Sequence, residues 1–293
     1  MIQSSGFFGP AAPLNETDSA APEPLYESVD GHCILLKGHR NDRLVVYKSL
    51  KPEFREDPVQ QRMLRREYEI GASLKHPGIC EVLSWIRLSG YGDSIEMEWI
   101  DGSRLDEWLD SHPDASRRRK VLLDLCDSLA YLHRKQVIHK DLKPENILVT
   151  RHGDYVKILD FGLSDTDSIL TGKDPAGTWQ YAAPEVIRGE TADVRSDIFS
   201  LGRIMQDMGP AFSRIARKCT EEDISKRYDS AEAVRRDLET LKPSRHRLTI
   251  SLLIFLLLLA AVVLLFLLKR GDPVEKLFLD AAEQVRNAST GLR

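Results

Sequence analysis

Two stretches hold most of the side chains whose types and spacing fit a defined chemistry: VIHKDLKPENILV, Val137–Val149, and VKILDFGLS, Val156–Ser164. The first supplies a carboxylate (Asp141), a cation two residues on (Lys143) and an amide oxygen (Asn146). The second delivers another carboxylate, Asp160, into a glycine-containing turn. Moving a phosphoryl group from a nucleotide demands little covalent work from a protein. It demands a positioned hydroxyl, a divalent cation on the phosphates and fixed positive charge against the developing negative charge. A hard cation such as magnesium takes oxygen ligands of the Asp160 and Asn146 kind. Each residue alone has a bland reading: a lone Asp-Phe-Gly is a common turn, and a lone lysine is usually a solvated charge. The specificity lies in the ordered set.

HxDLKxxN followed at short range by DFG resembles the eukaryotic-like (Hanks-type) serine/threonine protein kinase family, over about Leu25–Leu241. The resemblance implies an α+β, bilobal kinase fold: a small β-rich N-lobe and a larger helical C-lobe. It implies ATP with Mg2+ (Mn2+ as a substitute), and protein substrates with serine or threonine acceptors. Asp141 would be the catalytic base and Lys143 the cation on the transferring group, with Asn146 and Asp160 as metal ligands. VVYKSL resembles the strand whose lysine, Lys48, holds the α- and β-phosphates. RREYEIGASLKHPGI resembles helix C, with Glu67 paired to Lys48. SIEMEWIDGSRL resembles the hinge, with Met97 as gatekeeper and the backbone of Glu98 and Ile100 meeting the adenine. GTWQYAAPE resembles the end of the activation segment. There Thr178 would lie near Asp141 and Lys143, and Glu185 would pair with Arg227. In VRSDIFSLG, Asp197 would brace the catalytic loop that holds His139 and Lys140; Phe161 would pack towards helix C.

Four departures from the family pattern carry their own expectations. The nucleotide loop offers only Gly31 where three glycines are expected, with Gly38 in the following turn. Side chains at the missing positions hinder close approach of backbone to phosphate, which predicts weak affinity or an unusual pose. Gly71 stands one helical turn after Glu67, where a bulky apolar residue is usual. It leaves a gap and costs about 1 kcal/mol of helix propensity against alanine, so helix C should be mobile and Lys48–Glu67 pairing should need a partner or a dimer. Lys140 replaces the usual arginine and loses its bidentate fork, so phosphorylation at Thr166, Ser168 or Thr171 should matter less. Only RIMQDMGPAFSRIARKC joins helix F to the later helices, which trims the surface where helix G often docks substrates.

These residues need rigid elements to position them. Residues 25–100 alternate strand-like runs (CILLKG, RLVVYKSL, ICEVLSWIRL, SIEMEWI) with one charged helix, about Pro58–Leu74. Residues 103–241 read as mostly helical. Over Ser116–Lys135, Val121, Leu122, Leu125, Leu129 and Leu132 fall on one face of an amphipathic helix that leads into the catalytic stretch. A β-rich lobe before an α-rich lobe leaves a cleft, a favoured ligand site.

The 293 residues carry a net charge of −4, which gives no reason to expect nucleic acid as a partner. Four scattered cysteines fit reduced thiols. Residues 1–24, rich in Ala, Pro, Ser and Glu, read as a disordered tail without a secretory signal. Residues 25–241 form the kinase domain and 242–247 a basic juxtamembrane linker. Residues 248–268, LTISLLIFLLLLAAVVLLFLL, hold no charge and match a bilayer's hydrocarbon thickness, so they read as one transmembrane helix. Flanking charges, Lys242, Arg245 and Arg247 against Lys269 and Arg270, barely bias the orientation; the missing signal favours a cell-membrane protein with a cytoplasmic kinase domain. Residues 269–293 form a short extracytoplasmic tail. There Val274, Leu277, Phe278, Ala281 and Val285 recur at helical spacing, as a homodimer contact, an interfacial helix or a solvated tail; Asn287-Ala288-Ser289 fits a glycosylation triplet. The order resembles bacterial receptor-type kinases without a long outer domain. Two functions follow from these residues: a membrane-anchored serine/threonine kinase, or a pseudokinase scaffold that keeps the fold without the transfer.

Overall fold

The computed structural model describes residues 21–27, 31–161, 178–241, 255–263 and 278–284, and the chain divides after Leu241. The first unit opens with a five-stranded antiparallel sheet in the order β1-β2-β3-β5-β4. Its strands are β1 (Glu23–Glu27), β2 (Cys33–Arg40), β3 (Arg43–Leu50), β4 (Val82–Leu88) and β5 (Gly92–Glu98). β1 begins at Glu23, two residues inside the stretch read as tail. Proline at Pro24 and uniform exposure along β1 suit an edge strand, which needs little apolar sequence to form. The β2–β3 hairpin closes through Asn41 and Asp42, at φ 48° and 60°. Such residues tolerate the left-handed conformation a two-residue hairpin loop requires. Gly38 is therefore not in the turn. It lies within β2 opposite Val45, under the Tyr47 ring, where an added Cβ would sit 2.5 Å from Tyr47 Cε2.

Helix α1 (Pro58–Ser73) starts where its sequence signals it: Pro58 is the first helical residue, and the Asp57 carboxylate accepts the Val59 N–H at 2.8 Å. Leu64, Glu67 and Gly71 form its buried stripe against the sheet. The C-lobe holds a small sheet, β6 (Gly102–Arg104), β7 (Ile147–Thr150) and β8 (Val156–Ile158), with helices α2 (Leu105–Asp110), α3 (Ala115–Arg134), α4 (Pro184–Ile187), α5 (Val194–Asp207), α6 (Ser213–Cys219) and α7 (Ala231–Thr240). The five apolar residues predicted on one face of α3 are all fully buried. They centre a core that also takes Ile147, Ile158, Phe161, Ile198 and Leu201. Only residues 208–212 separate α5 from α6, and the two helices touch so closely that a Cβ on Gly202 would lie 2.5 Å from Cys219 Cβ. The trimmed connection read from the sequence is thus present.

In the second unit, residues 255–263 and 278–284 are helical and exposed. No helix among the described residues is long and apolar enough to cross a membrane. The stretch 248–268 lies outside the described residues apart from 255–263.

Candidate active site

The catalytic loop is fixed from the C-lobe side by one buried carboxylate. Asp197, fully buried in the first turn of α5, accepts the backbone N–H of His139 on Oδ2 and of Lys140 on Oδ1, both at 2.9 Å. His133 Nε2 of α3 lies 2.9 Å from the same Oδ2. Burial alone would push the Asp197 carboxyl up; His133 first, then His139, hold it below the ordinary aspartate value. These bonds impose φ 63° on Lys140, a left-handed conformation that a side chain other than glycine, asparagine or aspartate rarely takes. Sequence reading predicted the Asp197 brace but missed His133. A lone histidine near the end of an amphipathic helix carries no signal beyond being polar on a face that continues into the core.

Beyond Lys140 the loop presents its chemistry. Lys143 Nζ lies 2.9 Å from Asp141 Oδ2. Asn146 Nδ2 donates to the Asp141 carbonyl at 2.8 Å and to Asp141 Oδ2 at 2.9 Å. Both bonds draw on the side-chain amide nitrogen, and the Asn146 backbone carbonyl accepts the Leu159 N–H at 2.9 Å, which leaves the side-chain Oδ1 as the oxygen able to meet a cation. On the next strand, Ile158 bridges Ile79 in parallel, and Cys80 N donates to Ile158 O at 2.9 Å. The connection between α1 and β4 is thereby stitched to the strand that delivers Asp160, itself at φ 57°.

From the N-lobe, Lys48 of β3 donates to both carboxylate oxygens of Glu67 at 2.7 Å and lies 3.1 Å from Asp160 Oδ2. The pair is formed within one chain. The reason is at Gly71. No gap exists there: Val82 of β4 fills the position, and a Cβ on Gly71 would sit 2.5 Å from Val82 Cγ2. Phe161 lies beneath, and its ring meets His139 edge-on at 5.6 Å, so side chains stack continuously from β4 to the catalytic loop.

The charges around Lys48 do not balance. One ammonium faces two carboxylates. Burial favours the neutral amine, but Asp160 and then Glu67 raise the Lys48 pKa above the ordinary lysine value. Glu67 is pushed up to about 7, by burial first and by the like charge of Asp160, against the pull of Lys48. This excess of negative charge fits a divalent cation at Asp160. Among the described residues no three His, Cys, Asp or Glu side chains cluster as a metal site. Asp160 and the Asn146 side-chain oxygen are oxygen donors of the kind magnesium takes.

At the hinge, Glu98 Oε1 accepts Lys157 Nζ at 2.5 Å and Glu81 N at 2.8 Å, and Glu98 N donates to Glu81 O at 3.0 Å. The Glu98 amide is therefore spent on Glu81. Ile100 follows β5 two residues on and makes no backbone hydrogen bond among the described residues. Met97 packs partly buried beside Ile95. Gly31 lies near the end of the β1–β2 connection, two residues before β2; residues 28–30 of that connection lie outside the described residues. Thr178 opens a single 3-10 turn, Thr178–Gln180; its side chain and residues 162–177 also lie outside them. Far below, Arg227 grips Glu185 with two bonds, 2.7 and 2.9 Å, while Ser196 Oγ donates to the same carboxylate at 2.8 Å. That pairing was expected.

The protein kinase domain model matches residues 29–255. The chain belongs to the protein kinase domain family. Its kinase domain is of the Hanks serine/threonine type, homologous to bacterial PknB-like kinases. It is 36% identical over 181 residues to a probable serine/threonine-protein kinase, SCO3848, of Streptomyces coelicolor, covering 58% of this chain and 26% of that protein. It is 35% identical over 184 residues to the serine/threonine-protein kinase PknB of Mycolicibacterium smegmatis, covering 59% and 29%. The kinase domain thus spans only between a quarter and a third of those relatives. Among solved structures, the PknI kinase domain of Mycobacterium tuberculosis superposes with a TM-score of 0.59 at 19% identity, over 75% of this chain and 94% of that one, a likeness of fold.

Proposed function

We propose that the chain is an active serine/threonine protein kinase that transfers the γ-phosphoryl group of ATP to protein hydroxyls. The observation that carries this reading is the assembled set Lys48–Glu67–Asp160 together with Asp141–Lys143–Asn146. Magnesium-bound ATP, when present, supplies the transferable group and the cation that screens its charge. The chain's own residues do the rest. Lys48, kept charged by two carboxylates, binds phosphate oxygens. Asp160 and the Asn146 amide oxygen are the cation's protein ligands. Asp141 keeps one carboxylate oxygen for the acceptor hydroxyl, because Oδ2 is taken by Asn146 and Lys143; it orients that hydroxyl and accepts its proton. Lys143, fixed beside Asp141, places positive charge where the phosphoryl group crosses.

Anchoring by a single-pass helix at residues 248–268, with the kinase domain cytoplasmic, is part of the same proposal. It is supported by the uncharged run of 21 residues and by the helical conformation and apolar exposed side chains of 255–263. Homodimer formation through residues 274–285 is supported only by their helical spacing.

A second reading, a non-catalytic scaffold, draws support from the glycine-poor β1–β2 connection, which offers Gly31 alone. Radiolabelled ATP separates the two. Incorporation into the chain or a generic substrate that requires magnesium and vanishes in Asp141→Asn and Lys48→Met supports the kinase. Nucleotide binding without any incorporation supports the scaffold. Alkaline carbonate extraction of membranes tests the anchor: release of the full chain into the soluble fraction overturns it.

A further inference from the structure

Helix α1 must be held in register for Glu67 to reach Lys48, yet it meets the sheet with a glycine. A second contact lies beside that pair. Along the sheet's inner face, Lys48 of β3 is opposite Ile95 of β5, and Ile95 is opposite Trp85 of β4. Lys48 and Trp85 therefore stand in one cross-strand row, two strand spacings apart. On α1, Glu67 and Tyr68 are consecutive. Glu67 reaches one end of the row and Tyr68 the other: its ring centroid lies 5.5 Å from that of Trp85, tilted by 57°. Arg65, one turn back, places its guanidinium over both rings, 4.9 Å from the Trp85 centroid and 5.3 Å from the Tyr68 centroid. It is further steered by Glu69 at 3.2 Å, one turn ahead. A cation over two aromatic faces contributes attraction that neither ring pairing nor burial supplies alone.

Two contacts at opposite ends of one row fix both the rotation and the slide of a helix; one contact fixes neither. We propose that Trp85 is a positioning residue: with Tyr68 and Arg65 it clamps α1 on the sheet and so holds Glu67 against Lys48 within a single chain. Its catalytic consequence rests on the kinase reading above; the clamp itself does not. The clamp occupies the groove between α1 and β4 with the chain's own side chains, so no partner is required there.

The test uses the full chain and two readouts. Amide exchange across 58–73 should rise at least tenfold in Trp85→Ala, with β3 and β5 unchanged, and stay within twofold of the parent in Trp85→Phe. The value of kcat/KM for ATP should fall at least tenfold in Trp85→Ala and recover to within threefold in Trp85→Phe. Arg65→Ala, which leaves the apolar core whole, should raise exchange in α1 about threefold, and it decides the matter if Trp85→Ala does not fold. Unchanged exchange in Trp85→Ala or Arg65→Ala, or a phenylalanine as damaging as alanine, overturns the clamp. A parent chain that transfers no phosphate overturns the kinase reading instead, while exchange still decides the clamp.

Discussion

Gly71→Ala distinguishes a gap from a filled site by the sign of its effect. In an open helix position the change gains about 1 kcal/mol from propensity alone. Here the new methyl would meet Val82 Cγ2 at 2.5 Å, far inside van der Waals contact. Overpacking of that kind costs about 1–3 kcal/mol. The sum is neutral to about 2 kcal/mol destabilising. For a domain of this size each kcal/mol moves the melting temperature by about 2–4 °C. Val82→Ala alone opens space and also destabilises. Together the two should cost less than their sum, with a coupling of about 1 kcal/mol or more, because the added methyl fills the volume the valine leaves. Urea denaturation of the four chains measures this, and ATP turnover follows it: Gly71→Ala should lose activity by pushing α1 from β4, and the double variant should regain part. A Gly71→Ala protein that is about 1 kcal/mol more stable with full activity would refute the reasoning, since it would mean that the space beside Gly71 is empty.

Asp197→Asn should lower turnover at least a hundredfold and destabilise by about 3 kcal/mol or more, since it removes a buried charge that holds two amides and faces His133; turnover near the parent's would count against the brace. Arg227 and Ser196 hold the buried Glu185 carboxyl below its ordinary value against the upward push of burial. Its stabilisation is present above the unfolded-state pKa of about 4.3 and is lost as pH falls through the lower folded value. Urea midpoints should therefore drop from pH 5 to pH 3, and Glu185→Gln, already weaker at pH 7, should drop less steeply. Burial pushes the Cys33 thiol up to about 11 and the Cys80 and Cys219 thiols up to about 12; a thiol reagent at pH 8 should label the native chain slowly and the unfolded chain at once, and rapid native labelling would contradict that burial.

The candidate set was legible because the proposed chemistry dictates residue types at fixed spacing, and the structure brings Asp141, Lys143 and Asn146 together, Lys48, Glu67 and Asp160 together, and Glu185 onto Arg227. The buried face of α3 was legible for a different reason, a 3.6-residue period sustained over five apolar positions. What could not be read was the partner of each exception. Gly71 looks like a defect until Val82, eleven positions on, is brought to it by strand pairing. Gly38 looks like a turn until Asn41 and Asp42 close the hairpin instead. Trp85 and Tyr68 are two ordinary aromatic residues until the packing of α1 on β4 brings their rings together. β1 escaped because an exposed edge strand leaves no apolar alternation to detect.

The bonds from Asp197 have a consequence for how this molecule breathes. Lys140 sits in a conformation it would leave if released, so the loop carrying Asp141 keeps its shape only while α5 stays folded beneath it. That half of the cleft is tied to a buried residue at the start of α5, so it opens only with that turn. The Lys48–Glu67 half depends on side-chain contacts of one helix and can loosen alone. The cleft is therefore a rigid anvil under a movable jaw, and any signal that adjusts its output has purchase on α1 and little on the loop.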